Sequence, residues 1–254
     1  MAGFMLWENA LRGATIVSEQ TLTSFGASNM TDGKTSSQAG FSGGQVSSVV
    51  FDLATATTID TMCVGRHNGI DSTSMFVKLY GSDDNASYTY LDFFVSLNSR
   101  TKFNYYLSST SKTYRYYKVE VTTLGNNIDA YIADISIGER LDLERSQKHG
   151  FTPPEFSDGD HIIPNVTRGR NLAGLTVKQG LKRVKFDFFY YHQSFFTRWL
   201  EFTESVKRYP CYILWNDVET LFYCWPTKKI PEPSYAKKIQ DYFNVKLDMM
   251  GLIE

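Results

Sequence analysis

The strongest constraint in this 254-residue chain is a train of short β segments, each closed by turn-forming residues. Candidate strands lie at 13–17 (GATIV), 46–52 (VSSVVFD), 59–64 (IDTMCV), 75–80 (MFVKLY), 88–94, 102–107, 114–122 and 131–137. Between them stand Thr31-Asp32-Gly33, Ser42-Gly43-Gly44, Asn68-Gly69, Asp83-Asp84-Asn85 and Gly125-Asn126-Asn127. Gly and Asn accept the left-handed backbone that tight connections need. Short strands at this spacing, with no helical period, predict a β-sandwich or barrel. The clearest alternation is TYRYYKVEV. It puts Arg115, Tyr117, Val119 and Val121 on the expected core face, with Tyr114, Tyr116, Lys118 and Glu120 opposite.

The pattern breaks at ISIGERLDLERSQKHGFTPPEF (135–156), where Gly138 ends a strand, charge follows, and Pro153-Pro154 forbids regular structure. Residues 139–165 therefore read as an extended connecting arm, with His149, Phe151, Pro153, Pro154, Phe156 and Ile162 as isolated anchors. This divides the chain into a sandwich over 1–138, the arm, and a second β domain over 166–254.

The second domain mixes both periods. In RVKFDFFYYH (183–192), Val184, Phe186, Phe188 and Tyr190 alternate with Arg183, Lys185 and Asp187. A helix is predicted over 194–208, capped by Ser194, with Phe195, Phe196, Trp199, Leu200, Phe202 and Val206 on its apolar face. Glu204 and Arg208 are placed for an i,i+4 ion pair, and Tyr209-Pro210 stops the helix. CYILWN (211–216) and TLFYCW (220–225) form a hairpin about Asn216-Asp217, and FNVKLDMM (243–250) closes the sheet with Phe243, Val245, Leu247 and Met249 on one side. One sheet carrying one packed helix is expected.

Composition removes several classes of function. A net charge of -1 offers no overall basic grip on nucleic acid. No apolar run approaches the ~18–20 residues of a membrane span, and MAGFMLWENALRG lacks the basic start and apolar core of a signal peptide. Cytoplasmic synthesis is expected. The three cysteines make no disulfide framework, and Cys211 and Cys224, flanking the hairpin, are expected as buried free thiols. There is no G-x-S-x-G elbow, P-loop, dinucleotide fingerprint or H-E-x-x-H, and Asp83-Asp84 reads as a turn, so no catalytic residue is assigned.

Two resemblances add to this reading. ASNMTDGKTSS, VVFDLATATTIDTMCVGRHN, FVKLYGSDDNASYTYL, YRYYKVEV and IADISIGE, in that order, resemble the discoidin, or galactose-binding-like, family. Ala54 stands where that family usually has Gly, and Gln38 and Phe41 lie where a Trp is common. The resemblance implies a jelly-roll sandwich whose end loops hold sugars, lipids or proteins. Candidate contacts are then Asn29, Asp32, Arg66, His67, Asn68 and Asp71, with Tyr88, Tyr90 and Phe41 as aromatic platforms. The alternative for Asn29 and Asp32 is closure of their own turn, or for Asp32 a calcium ion; His67 reads as a hydrogen-bonded loop histidine. No cofactor and no dedicated metal site is assigned.

RGRNLAGLTVKQGLKR, the aromatic strand, a helix ending in Tyr-Pro-Cys, and the final strand reaching Gly251-Leu252 resemble tailed-bacteriophage distal tail, or baseplate hub, proteins. This implies a virion structural protein at the tail tip. It would form a homo-oligomeric ring, hexameric or trimeric, whose strands close a β-barrel continuous with the tail tube. Its partners would be tube, hub and fibre proteins, and host-surface carbohydrate through the outward sandwich. Arg168, Arg170, Lys182, Arg183, Trp215 and Trp225 are the expected subunit contacts. The alternative is a stand-alone carbohydrate-binding module with an accessory β domain.

Overall fold

The computed structural model describes the chain except residues 1–2, 21, 24, 69–74, 98–102, 124–127, 144–151, 154–160, 167–171, 179, 216–220, 236–241 and 254. Its first half contains β1 (Phe4–Leu6), β2 (Thr15–Gln20), β3 (Ala39–Phe41), β4 (Val46–His67), β5 (Phe76–Ser82), β6 (Thr89–Ser96), β7 (Phe103–Thr122) and β8 (Ala130–Gly138). The second half contains β9 (Leu141–Asp142), β10 (His161–Val166), β11 (Leu172–Lys178), β12 (Lys182–His192) and helix α1 (Gln193–Ser205). It ends with β13 (Cys211–Leu214), β14 (Phe222–Pro226), β15 (Ser234–Tyr235) and β16 (Tyr242–Leu252).

The fold is mainly β, a jelly-roll-like sandwich joined to a second sheet that carries one helix. Two pairs of expected strands are fused: 46–52 with 59–64 into β4, and 102–107 with 114–122 into β7. These long strands run through both leaves of the sandwich. Residues 46–52 and 116–122 pair with each other and with β2 and β5; residues 61–65 and 103–107 pair in the other leaf, where β8 and β3 join. The bend between leaves needs Ala54 at φ 63, the position where glycine was the expected residue. Asp52 fastens it, accepting the Ala54 amide at 2.8 Å and Arg115 Nε and Nη2 at 2.8 Å each. The Tyr117 hydroxyl donates to Thr57 O at 2.6 Å. Tyr117, Val119 and Val121 are fully buried as the alternation predicts, packed with Val49, Phe51, Met62 and Ile135.

The second sheet has strand order β12-β16-β14-β13-β1-β9, so residues 4–6 do not belong to the sandwich. Phe4 pairs with Leu214 and with Asp142, and the sandwich is inserted between two neighbouring strands of the other sheet. Phe4–Leu6, expected within the 1–138 sandwich, pair in the second sheet instead. FML is too short to carry a strand signal, and it is apolar on both faces because both are covered. The expected arm begins as β9 and ends as β10, which pairs with β11; His149, Phe151, Pro154 and Phe156 lie outside the described residues.

Helix α1 covers one face of this sheet. Phe195, Trp199, Phe202 and Val206 are buried against Val184, Phe186, Phe188, Phe243, Val245, Leu247 and Met249. Leu200, expected on that face, is 47% exposed, and Glu204 pairs with Lys207 rather than Arg208. The helix starts at Gln193, so Ser194 is inside it rather than its cap. A register shift after Phe188 brings Tyr191 into the core; the Tyr190 side chain lies outside the described residues. Cys211 faces Cys224 with sulfurs 3.8 Å apart, both buried thiols.

The other face of the sheet packs on the sandwich. Alternation splits each strand between two cores: Met5, Ile213 and Phe222 face the helix, whereas Phe4, Tyr212, Leu214 and Tyr223 meet Cys63 and Phe103 of the sandwich. Gly65 permits this approach, since a Cβ there would lie 2.4 Å from the Tyr212 hydroxyl oxygen. That hydroxyl donates to Asp134 Oδ2 at 2.7 Å, and Ser136 donates to the same oxygen at 2.8 Å. Asp134 Oδ1 is buried without a hydrogen-bond partner. Burial holds this carboxyl at about 6, above the ordinary 3.8, against the opposing pull of Tyr212, Ser136 and Arg12. Asp32 and the buried Cys63 and Tyr223 add no compensating positive charge.

Two outcomes follow from this junction. Phe4→Ala is expected to cost about 3–5 kcal/mol in urea unfolding, and the wild-type chain should lose both modules in one transition. For Asp134 the folded value lies above the unfolded one, so its contribution is complete below about pH 4 and disappears as pH rises through 6. Asp134→Asn should therefore gain about 3 kcal/mol relative to wild type between pH 4 and pH 7, read from paired melts across that range.

Candidate functional site

The expected end-loop residues are largely occupied by the loops themselves. Asn29 donates to Gln38 O at 3.0 Å, and Asp32 accepts the Lys34 amide at 2.8 Å and the Ser37 hydroxyl at 2.7 Å. Arg66, at φ 48, reaches Thr35 O at 3.3 Å. Asn68 clamps the strand opposite, donating to Asp129 O at 2.8 Å and accepting the Tyr131 amide at 2.6 Å. His67 is buried, its Nε2 2.6 Å from Asn104 Oδ1. Asp71 lies outside the described residues. Among the described residues no group of three His, Cys, Asp or Glu side chains is placed to hold a metal ion. Asp83-Asp84 is a turn: Asp84 Oδ1 accepts the Ala86 and Ser87 amides at 2.9 Å, which lowers its carboxyl to about 2.

Of the three expected platforms, Phe41 is fully buried in the sandwich core and presents no face to a ligand. Tyr88 and Tyr90 lie instead on a larger surface, the outer face of the β6-β5-β7-β4-β2 leaf. Side chains on every second residue of neighbouring strands align there in rows. Tyr90 pairs with Tyr80, which pairs with Lys118; Phe94 pairs with Lys78, which pairs with Glu120. Tyr116 stands opposite Ser82 and Asp52. The Tyr80 and Tyr90 rings are 5.4 Å apart, and those of Phe76 and Phe94 5.1 Å. Lys118 lies over Tyr80 at 4.3 Å and near Tyr88 at 5.2 Å, and Lys78 lies over Phe76 at 4.9 Å.

This surface is half-open. Tyr90 is 39% exposed and Phe94 42%. The Tyr80 hydroxyl donates to Glu120 at 3.2 Å, and burial followed by the Glu120 charge raises its pKa. Burial raises those of Tyr88 and Tyr90 as well, so all three remain neutral phenols at neutral pH. The exposed rings of Tyr90 and Phe94, with ammonium, phenol and carboxylate groups beside them, can stack on a sugar ring and hydrogen-bond its hydroxyls. Tyr80, Phe76, Phe94, Lys78 and Lys118 escaped sequence reading. Their alternation was visible on each strand, but the register that aligns them was not.

The expected subunit contacts scatter. Trp215 is 2% exposed within the chain's own core, so its ring is not available to a second copy. Arg183 is spent on a two-pronged contact with Asp248, at 2.9 and 2.7 Å, that holds the Asp248 carboxyl well below the usual range. Lys182 is half-exposed on β12. Trp225 is half-buried in the wall of a cleft between the modules. Arg168 and Arg170 lie outside the described residues.

No protein family matches the sequence, and no curated protein does. Among solved structures, the chain is similar to chitosan-binding module 1 of a chitosanase/glucanase from Paenibacillus sp. IK-5, at 14% identity and TM-score 0.41 over 51% of this chain and 98% of that one. It is also similar to the CBM32 of AlyQ in complex with 4,5-unsaturated mannuronic acid, at 25% identity and TM-score 0.38, over 49% of this chain and 95% of that one. A third likeness is to a Ruminococcus gnavus GH29 fucosidase, at 15% identity and TM-score 0.42, over 53% of this chain and 27% of that one.

Because Asn68 satisfies backbone groups rather than solvent, Asn68→Ala should act on stability. A loss of about 1–3 kcal/mol is expected in denaturant unfolding.

Proposed function

We propose that this chain is a non-catalytic glycan-recognising protein, in which the sandwich binds sugar and the second β domain is its rigid carrier. The outer-face ladder of Tyr80, Tyr90, Phe76 and Phe94, edged by Lys78, Lys118 and Glu120, carries this reading. Exposed rings held in place by cations and cross-strand partners need little ordering on binding, which is where affinity for a flexible sugar is otherwise lost. The carrier is not a detachable accessory here, since β1 and β9, which precede and follow the sandwich in the chain, pair with each other in its sheet.

A second reading is that of a bacteriophage tail-tip subunit, with copies closing into a ring of six or three and the sandwich facing outward to host-surface sugar. One observation favours it. The second domain is one antiparallel sheet carrying helix α1 on one face, in the strand, helix, hairpin, strand order on which the resemblance to such subunits rests. The two readings are compatible, since a ring would display its glycan-binding faces together and gain avidity.

A glycan array followed by calorimetry tests the first reading. Tyr80→Ala with Tyr90→Ala should weaken the selected glycan at least tenfold, about 1.4 kcal/mol, without lowering the melting temperature by more than a few degrees. An unaltered affinity would remove the ladder as the site. Light scattering and negative-stain images test the second: a closed ring is expected, and a monomer at high concentration would end that reading.

A further inference from the structure

A cleft of about 1020 Å³ lies where the sandwich, helix α1 and the segment after β14 meet. The sandwich contributes Gly33, Lys34 and Thr35, the residues just after Asp32; the second domain contributes Trp225, Tyr223 and Tyr209. Four prolines, Pro210, Pro226, Pro231 and Pro233, stiffen its walls. Tyr209 is 41% exposed, and the Arg12 guanidinium fixes it by stacking on its ring at 4.1 Å. The site is thus an apolar, aromatic concavity at a domain junction, the usual place and lining of a small-ligand site.

Its charge is unlike that of the whole chain. Five cations line it, Lys34, Lys207, Arg208, Lys228 and Lys229, against two carboxylates, Glu204 and Glu232, on a protein whose net charge is -1. Glu204 is taken by Lys207, and Lys228 leans on Asp248 at 3.4 Å. Among the described residues no carboxylate stands within ion-pair distance of Lys34, Arg208 or Lys229. The positive charge surrounds one concavity and does not extend as the stripe that a nucleic-acid backbone requires.

We infer that this cleft is a second saccharide site and takes an acidic oligosaccharide, with a carboxylated sugar ring set against Trp225 and its charge met by Lys34, Arg208 and Lys229. The inference rests on the reading of the chain as a glycan binder, and adds to it a location and a ligand charge. Uncharged sugar would leave the rim cations unanswered, whereas a small inorganic anion would leave the aromatic floor unused.

Calorimetric titration of the full chain with tetragalacturonate, beside a neutral galactose tetrasaccharide, tests it. Wild type should bind tetragalacturonate, with affinity falling as salt rises. Lys34→Ala with Lys229→Ala should weaken it at least tenfold, and Trp225→Ala similarly. Melting temperatures should hold, because Lys34 and Lys229 are exposed. The Tyr80→Ala/Tyr90→Ala variant should bind tetragalacturonate as wild type does.

Unchanged affinity in the double lysine variant overturns the inference, as does displacement of tetragalacturonate by a short oligonucleotide of equal charge at equal concentration. Loss through Tyr80 and Tyr90 instead of the lysines overturns the cleft but leaves the glycan reading intact. Binding of the neutral sugar alone does the same. Binding of neither sugar, at millimolar concentration and with a blank glycan array, overturns both.

Discussion

Burial of the second sheet on both faces is the constraint on which the rest of the molecule depends. Each of its central strands is split by the period of two: Met5, Ile213 and Phe222 toward the helix, Phe4, Tyr212 and Tyr223 toward the sandwich. A sheet in this position cannot shed either neighbour without exposing a row of large side chains to water. Helix, sheet and sandwich are therefore coupled, and the loops of one module hold a fixed position relative to the other.

That coupling has an electrostatic cost concentrated at Asp134, a carboxyl whose one oxygen accepts Tyr212 and Ser136 while the other has no partner. Buried polar groups with incomplete satisfaction are expensive. Here the expense falls at the contact between modules, where the Tyr212 hydroxyl crosses from sheet to sandwich. The strength of the junction consequently depends on the protonation of one side chain, although the apolar contacts around it do not titrate.

Two surfaces remain open once the cores are formed. The outer leaf presents aromatic rings under lysines, and the junction cleft presents an aromatic floor under an excess of cations. In both, the aromatic residues stand on strands or beside prolines and short turns. The end loops are different: Asn29, Asp32 and Asn68 make hydrogen bonds that close backbone within and between the loops.

Several features were legible from residue order alone because they are local. Alternation assigned Tyr117, Val119 and Val121 to the sandwich core, and Phe243, Val245, Leu247 and Met249 to the sheet core. Turn chemistry located the Asp83-Asp84 turn, the 3.6 period found the helix, and the hairpin brought Cys211 opposite Cys224. Tertiary structure alone decided what depends on distant partners. It placed Phe4–Leu6 in the far sheet, since three apolar residues carry no period and acquire a strand's identity only from Leu214 and Asp142. It buried Phe41 and Trp215 and left Leu200 exposed, because hydrophobicity does not say which neighbour arrives. It also aligned Tyr80 with Tyr90 and Lys118, a row set by register between strands, and register is a property of pairs that no single strand contains.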